Sequence, residues 1–321
     1  MFLGLLIACA KQVPAPPPRM VTVEPGLQAE LATTGTLHDR LAKADEADLV
    51  IFYAGEQRGD LAPCGCPSRP RGGLPRAASY MNAAGEGLFL NAGGWLDGGQ
   101  GLDGNPIPEA SLKNRWMFRG LQQINVSAVS VGFDDLLGLS TLAESPPPLP
   151  MVSANLTGPG IQTHVLVKHR GLTIGISGIS HTGHPTLTTP GYTRTPSGET
   201  VEGVLEQLKQ DSDLVVLFSH GATNAAKRMA RKGLVDVVID TDTHRSFDPP
   251  FHVGDAVWVR SHTQGLRLGE LRLGVADKQI TWALDRKIDM DDLLPDHPEQ
   301  KQLSDTARAE LEVLKDRLFG P

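Results

Sequence analysis

The chain has 321 residues, 40% hydrophobic and 21% charged, enough for one large domain or two small ones with a sizeable core. Its formal net charge of -7 argues against nucleic acid as a partner, because phosphate binding needs a basic face. Aromatic residues make up only 5%, which also disfavours a base-stacking surface.

The chain opens on "MFLGLLIAC", an apolar run ending at Cys9. Leu6-Ile7-Ala8-Cys9 resembles the lipobox of bacterial lipoproteins, in which the cysteine becomes the lipidated N-terminus. The run is shorter than the roughly 20 residues of a membrane-spanning helix and lacks the Lys/Arg start of an ordinary signal peptide. Either the true start lies upstream or this is an ordinary apolar terminus. The proline-rich "KQVPAPPPRM" that follows suits a tether, or a disordered tail. Residues 1–25 are therefore expected to be anchor and tether. The resemblance implies a lipid-anchored protein of the bacterial cell envelope facing the periplasm or exterior, with the membrane as partner through Cys9.

"LHDRLAKADEAD" (37–48) reads as a short helix. Strand signals then recur at 48–53, 87–91, 127–132, 150–156, 163–179, 213–219 and 236–240, as short apolar runs bounded by Gly or polar residues. Helical patterns lie between several of them, at 75–85, 111–125, 201–210 and 222–233. This alternation predicts an α/β domain with a largely parallel core over residues 26–288. The stretches 256–275 and 279–288 read as antiparallel strands, so the sheet is mixed or there are two sheets. An acidic, proline-broken connector begins at 289. The tail carries Leu303, Ala307, Leu311, Leu314 and Leu318 at helical spacing, predicting a helix docked on the domain or one that binds a partner.

The clearest local unit runs from Asp213 to Asp240: strand, helix, strand. Such a crossover makes the two strands parallel and brings their carboxyl ends to one edge. His220 follows the first strand, and Asp240, Asp242 and His244 follow the second. Open α/β sheets place their sites at that edge, so these four residues are candidates to meet.

The order of motifs resembles the N-terminal domain of the 5′-nucleotidase branch of the calcineurin-like metallophosphoesterases, from about Asp48 to Leu284. "GGLPRAASYM" resembles the family's Gly-Gly-Leu-x-Arg helix start. "LFLNAGGWLDG" resembles the strand ending in Asp-x-Gly-Asp, and "SAVSVGFDDL" the strand ending in Gly-Asn-His-Glu. "LPMVSANL" is similar to the Pro-x-x-x-Ala-Asn-Leu strand. "LFSHGA" looks like the Ser-His metal loop and "VIDTDTHRS" like the Gly-Gly-His-Thr-His loop. The resemblance implies a four-layer αββα sandwich with two mixed sheets and two divalent metals, such as zinc or manganese, at the sheet edge.

Most of the implied ligands are replaced. The opening Asp-x-His-Gly falls on Glu56-Gln57-Arg58-Gly59, and Arg58 has no lone pair for a metal. The bridging Asp falls on Gly94, the Asn ligand on Phe133 and the catalytic His on Asp134. Glu56, His220, Asp242 and His244 remain as metal-ligand candidates, with Asp134 as a catalytic acid. A two-metal mechanism needs ions clamped close together, and Gly94 offers no bridge. The expectation is a rebuilt site, impaired in hydrolysis, that binds a metal or an anionic, phosphate-containing small molecule. The alternative is an active phosphoric ester hydrolase with a reduced metal site.

"APCGCPSRPRGG" places Cys64 and Cys66 beside the altered first motif. They could add thiolates to a zinc or copper site, form a strained disulfide, or be plain loop residues. The first two readings make a soft-metal or redox protein the third functional alternative. Arg58, Arg69, Arg71 and Arg76 with Gly72 and Gly73 could bind an anion through guanidinium and backbone N–H groups, or form a solvated loop. His181 and His184 read as structural or as ligands, and Trp95 as packing or as a cover over the site.

Overall fold

In the strand Leu49–Ala54 every residue is buried, and the alternation of side chains splits them between two cores. Leu49, Ile51 and Tyr53 join one apolar cluster, whereas Val50, Phe52 and Ala54 join another. Leu214–His220 behaves likewise, with Leu214, Val216 and Phe218 on one side and Val215 and Leu217 on the other. Strands covered on both faces read as unbroken apolar runs, which is why these segments lack a polar alternation.

The computed structural model describes residues 19–43, 47–63, 70–99, 107–142, 149–181, 190–196, 198–241 and 249–320. A nine-stranded sheet runs in the order β1 (Arg19–Glu24), β2 (Leu27–Ala32), β17 (Gln279–Asp289), β16 (Arg267–Ala276), β3 (Leu49–Ala54), β4 (Leu88–Asn91), β5 (Ala128–Ser130), β6 (Met151–Val152) and β8 (Ile161–Gln162). A six-stranded sheet runs β14 (Phe251–Val253), β15 (Ala256–Arg260), β13 (Val237–Thr241), β12 (Leu214–His220), β10 (Leu172–Ser180) and β9 (His164–His169). A small ladder pairs β7 (Leu156–Thr157) with β11 (Thr193–Arg194). Both large sheets mix parallel and antiparallel pairs.

One cluster of apolar side chains, including Leu27, Leu90, Ile176 and Ile239, fills the space between the sheets. The outer face of the nine-stranded sheet carries α2 (Leu74–Ala84), α3 (Pro108–Gln123), α4 (Phe133–Leu139) and α7 (Pro298–Phe319). The outer face of the six-stranded sheet carries α5 (Glu199–Asp211) and α6 (Thr223–Arg231). The result is the four-layer αββα sandwich.

Three segments differ from the sequence reading. Arg19–Glu24, read as the end of the tether, pairs antiparallel with Leu27–Ala32 and forms the sheet edge. The expected helix over 37–48 shortens to α1 (Leu37–Arg40), because Leu41 is already extended and the chain is in β3 by Leu49. Ala256–Arg260 is parallel to β13 in the six-stranded sheet, whereas β16 and β17 form the expected hairpin in the other sheet. The chain changes sheets between them.

The tail helix α7 docks: Leu303 and Ala307 pack against the outer cluster, and Gln300 Nε2 donates to the Gly120 carbonyl at 3.2 Å. Among the described residues, no helix is long and apolar enough to cross a membrane.

A cluster of buried charges stitches β2, β16 and β17 to the helices above them. Arg286, 1% exposed, donates to Glu30 at 2.9 and 3.1 Å, to Tyr80 Oη at 2.8 Å and to Glu270 at 2.5 Å. Pairing two carboxylates with this guanidinium offsets the several kcal/mol that each isolated buried ion would cost.

Candidate functional site

The carboxyl ends of β3, β4, β5 and β12 meet at one edge of the sandwich. Past β3 the chain turns through Glu56 (φ 55°), Arg58 (φ 51°) and Gly59 (φ 76°), all in the left-handed region. For Glu56 and Arg58 this backbone costs on the order of 1 kcal/mol or more each. It is held by a zipper to the loop after β4. Glu56 N–H donates to the Gly93 carbonyl at 2.8 Å, Arg58 N–H to Gly94 at 2.9 Å and Gly59 N–H to Trp95 at 2.9 Å.

This loop carries Glu56 into the sandwich edge, where its side chain is 3% exposed. Its Oε1 lies 3.0 Å from His220 Nε2 at the end of β12. Its Oε2 accepts from Arg58 Nε at 3.3 Å and Nη2 at 3.2 Å. The Arg58 side chain is 47% exposed, so the guanidinium has one edge on Glu56 and its body toward solvent.

Glycines make room for this set. A Cβ on Gly132 would sit 2.4 Å from His220 Cε1, and one on Gly93 would sit 2.7 Å from His220 Cδ2. The imidazole therefore occupies a slot that only glycine leaves open on both sides. A Cβ on Gly94 would lie 2.6 Å from Glu56 Oε1.

Asp135, in the first turn of α4, is fully buried and accepts three backbone N–H groups: Gly94 at 2.7 Å, Leu96 at 2.9 Å and Gly132 at 2.7 Å. It ties the loop after β4 to the start of α4. Burial pushes its carboxyl up to about 6, against the pull of His220 and these three hydrogen bonds. Burial also raises Asp134, although the Arg58 guanidinium opposes this. For His220, burial alone would lower the pKa. The hydrogen bond to Glu56 and the charges of Asp135, Glu56 and Asp134 outweigh it, so the imidazole is raised above its ordinary value.

The structure thus brings together Glu56, Arg58, Asp134 and His220 of the expected residues. Arg71 instead pairs with Asp289 at 3.4 Å, and Gly72 donates its N–H to the Met290 carbonyl at 2.6 Å. That N–H is spent within the chain rather than offered to an anion. Gly73 caps the start of α2 with φ 97°. Asp240 is paired in register with Ser219, one residue out of phase with His220. Its carboxylate therefore meets Thr223 Oγ1 at 3.3 Å and Arg260 Nε at 3.3 Å rather than the imidazole. Trp95 is fully buried, donates its Nε1–H to the Ser130 carbonyl at 3.1 Å and packs on Phe118, so it belongs to the core. Cys9, Cys64, Cys66, Asp242, His244, Arg69 and His184 lie outside the described residues.

Asp135 was not singled out from the sequence. Its signal is the glycine three residues earlier: an acid at that spacing accepts the N–H of the residue that starts the helix.

The structure is similar to that of the sulfate thiohydrolase SoxB of Thermus thermophilus, with a TM-score of 0.67 and 14% identity over 84% of this chain and 62% of that one. It is similar to a 5′-nucleotidase precursor from the same species, with a TM-score of 0.64 and 16% identity over 83% and 59%. The NAD nucleotidase of Haemophilus influenzae gives a TM-score of 0.62 and 16% identity over 84% and 60%. The fold is that of the metallophosphoesterase domain of 5′-nucleotidases. No protein-family model matches the sequence and no curated protein matches it. The chain spans about three-fifths of the length of these solved structures.

Metallophosphoesterase-like folds typically bind divalent metals. Among the described residues, no three His, Cys, Asp or Glu side chains converge to hold an ion. Glu56 and His220 are bonded to each other, Arg58 covers the remaining Glu56 oxygen, Gly94 has no donor and Asp135 is committed to backbone N–H groups. The described donor set does not fit a two-metal centre.

Proposed function

We propose that this chain is a 5′-nucleotidase-like, metallophosphoesterase-like protein of the bacterial envelope, lipid-anchored through Cys9. Its hydrolytic site is rebuilt, impaired in hydrolysis, and retained for binding an anionic, phosphate-containing small molecule. The observation that carries the impairment is the engagement of both Glu56 oxygens, one with His220 and one with Arg58. Phosphate-ester hydrolysis on this fold draws on paired ions that activate and clamp oxygens, and the described side chains offer no bridge between two ions. The solvent-facing part of the Arg58 guanidinium supports the anion reading, since a planar fork suits phosphate.

The test is turnover of a generic phosphate ester by the purified chain loaded with manganese, zinc or cobalt. Hydrolysis at the level of an ordinary phosphatase would sink the reading. Anchoring is checked separately, by incorporation of a labelled fatty acid that Cys9→Ser abolishes.

One observation favours a second reading, an active phosphoric ester hydrolase with a reduced metal site. Burial raises the Asp134 carboxyl, and the charges of Arg58, Glu56 and His220 act on it, as suits a general acid near the pair. In that reading Glu56, His220, Asp242 and His244 would hold the metal, and His220→Ala would abolish turnover.

A further inference from the structure

We propose that Arg58 is a built-in cation: its guanidinium neutralises Glu56 as a bound metal ion would, and so keeps a divalent ion out of this site. The inference rests on the rebuilt-site reading and specifies which side chain did the rebuilding. Three observations converge on it.

The first is the state of the carboxylate. Glu56 is 3% exposed, and a carboxylate buried that far needs a compensating charge. Arg58 supplies it through Nε and Nη2, at 3.3 and 3.2 Å, from only two residues along the chain. An ion approaching Glu56 would have to displace both N–H donors and separate Oε1 from His220.

The second is a steric link between positions 56 and 94. Gly94 has φ 68°, and a Cβ there would fall 2.6 Å from Glu56 Oε1 and 2.7 Å from its Cδ. Glu56 in its present rotamer and any side chain at 94 exclude one another. The missing carboxylate at 94 and the internal pairing of Glu56 are therefore one structural change. Glycine at 94 opens the volume into which Glu56 swings to meet His220.

The third is that the loop holds its shape through protein groups. Besides the zipper to residues 93–95, the Glu56 carbonyl accepts the Gln264 N–H at 2.8 Å. With the Arg58 guanidinium already on Glu56, an added dication finds less net attraction at that carboxylate.

The experiment uses the full chain, which includes Asp242 and His244. Wild type, Arg58→Ala, Arg58→Gln and Arg58→Lys are stripped with chelator, equilibrated with manganese or zinc, and desalted. Bound metal is then measured by elemental analysis and Tm is read with and without the ion. The inference expects wild type and Arg58→Lys to retain substoichiometric metal with an unchanged Tm. Arg58→Ala and Arg58→Gln are expected to bind the ion about tenfold or more tightly than wild type and to gain several degrees of Tm from it. A full equivalent of either ion on wild type would overturn the inference. So would Arg58→Ala and Arg58→Gln binding no more tightly than wild type, or Arg58→Lys taking up metal as Arg58→Ala does. Arg58 is half-exposed, and the Tm of each metal-free variant shows whether it has kept the fold before its metal content is compared. Turnover plays no part in this readout. A metal-free wild type that hydrolyses esters would remove the proposed function and leave the inference standing. A metal-bound, inactive wild type would do the reverse.

Discussion

Glu56 on the loop after β3 and His220 at the end of β12 are joined by a 3.0 Å contact, although 164 residues separate them. The contact links the edges of the two sheets and, together with the nearby carboxylates, raises the imidazole against the effect of burial. His220 is raised above its ordinary 6.5, so its contribution to stability is complete below that value and is lost as pH rises through the higher folded value. Asp135, raised to about 6 by burial, acts in the same direction, losing its contribution as pH rises from 3.8 through 6. Urea denaturation across pH 4–8.5 is expected to show these two groups lowering stability as pH rises, against the opposite contribution of His169 and His262, which burial lowers. Glu56→Gln is expected to remove the part above pH 6.5, and an identical slope in that variant would refute the pairing.

Gly132→Ala places a methyl carbon 2.4 Å from His220 Cε1. The ring is enclosed on the other side by Gly93, so it has no direction in which to yield. The expected cost is about 1–3 kcal/mol of stability together with loss of the Glu56 contact. Chemical denaturation and the histidine imidazole NMR signal check the two effects.

Asp135→Ala leaves the N–H groups of Gly94, Leu96 and Gly132 without their acceptor in a buried place. We expect a loss of about 3 kcal/mol or more. Asp135→Asn, which keeps one acceptor oxygen, should lose less. Equal losses would show that the carboxylate is not the tie between the β4 loop and α4.

Arg286→Met removes the guanidinium from a buried cluster and leaves Glu30 without that partner, while Glu270 keeps Arg272 and Tyr80. The expected loss is about 3–5 kcal/mol. Adding Glu30→Gln should recover part of it, since the penalty is unpaired charge rather than lost volume. The midpoint of urea unfolding reports both steps.

Much of the sandwich was legible. The runs around Leu49–Ala54, Leu214–His220 and Val237–Thr241 are apolar at nearly every position because both faces are covered. The crossover from β12 to β13 was legible for a different reason, since a short strand-helix-strand unit constrains its own geometry. Ala256–Arg260 was harder to place. Alternation tells which residues face inward but names no partner strand, and here the partner lies in the other sheet. Arg19–Glu24 follows a proline-rich stretch and, as an edge strand with Met20 and Val21 exposed, shows little of a core strand's pattern.

At the site, the amino-acid sequence by itself determined the inventory. By resemblance, Glu56 and His220 fall at ligand positions and Arg58 and Gly94 at positions where ligands are replaced, and the strand-helix-strand unit puts the carboxyl ends of its strands at one edge. Only the tertiary structure decided who bonds to whom. Asp240 and His220 both follow apolar strands, yet one residue of register sends Asp240 to Arg260 and Thr223. Arg58 read as an anion ligand, and its nearest charge is Glu56. The reason is physical. Residue type states what a side chain can bond to, whereas the choice among partners within about 3 Å is made by backbone angle, strand phase and the space that glycines leave.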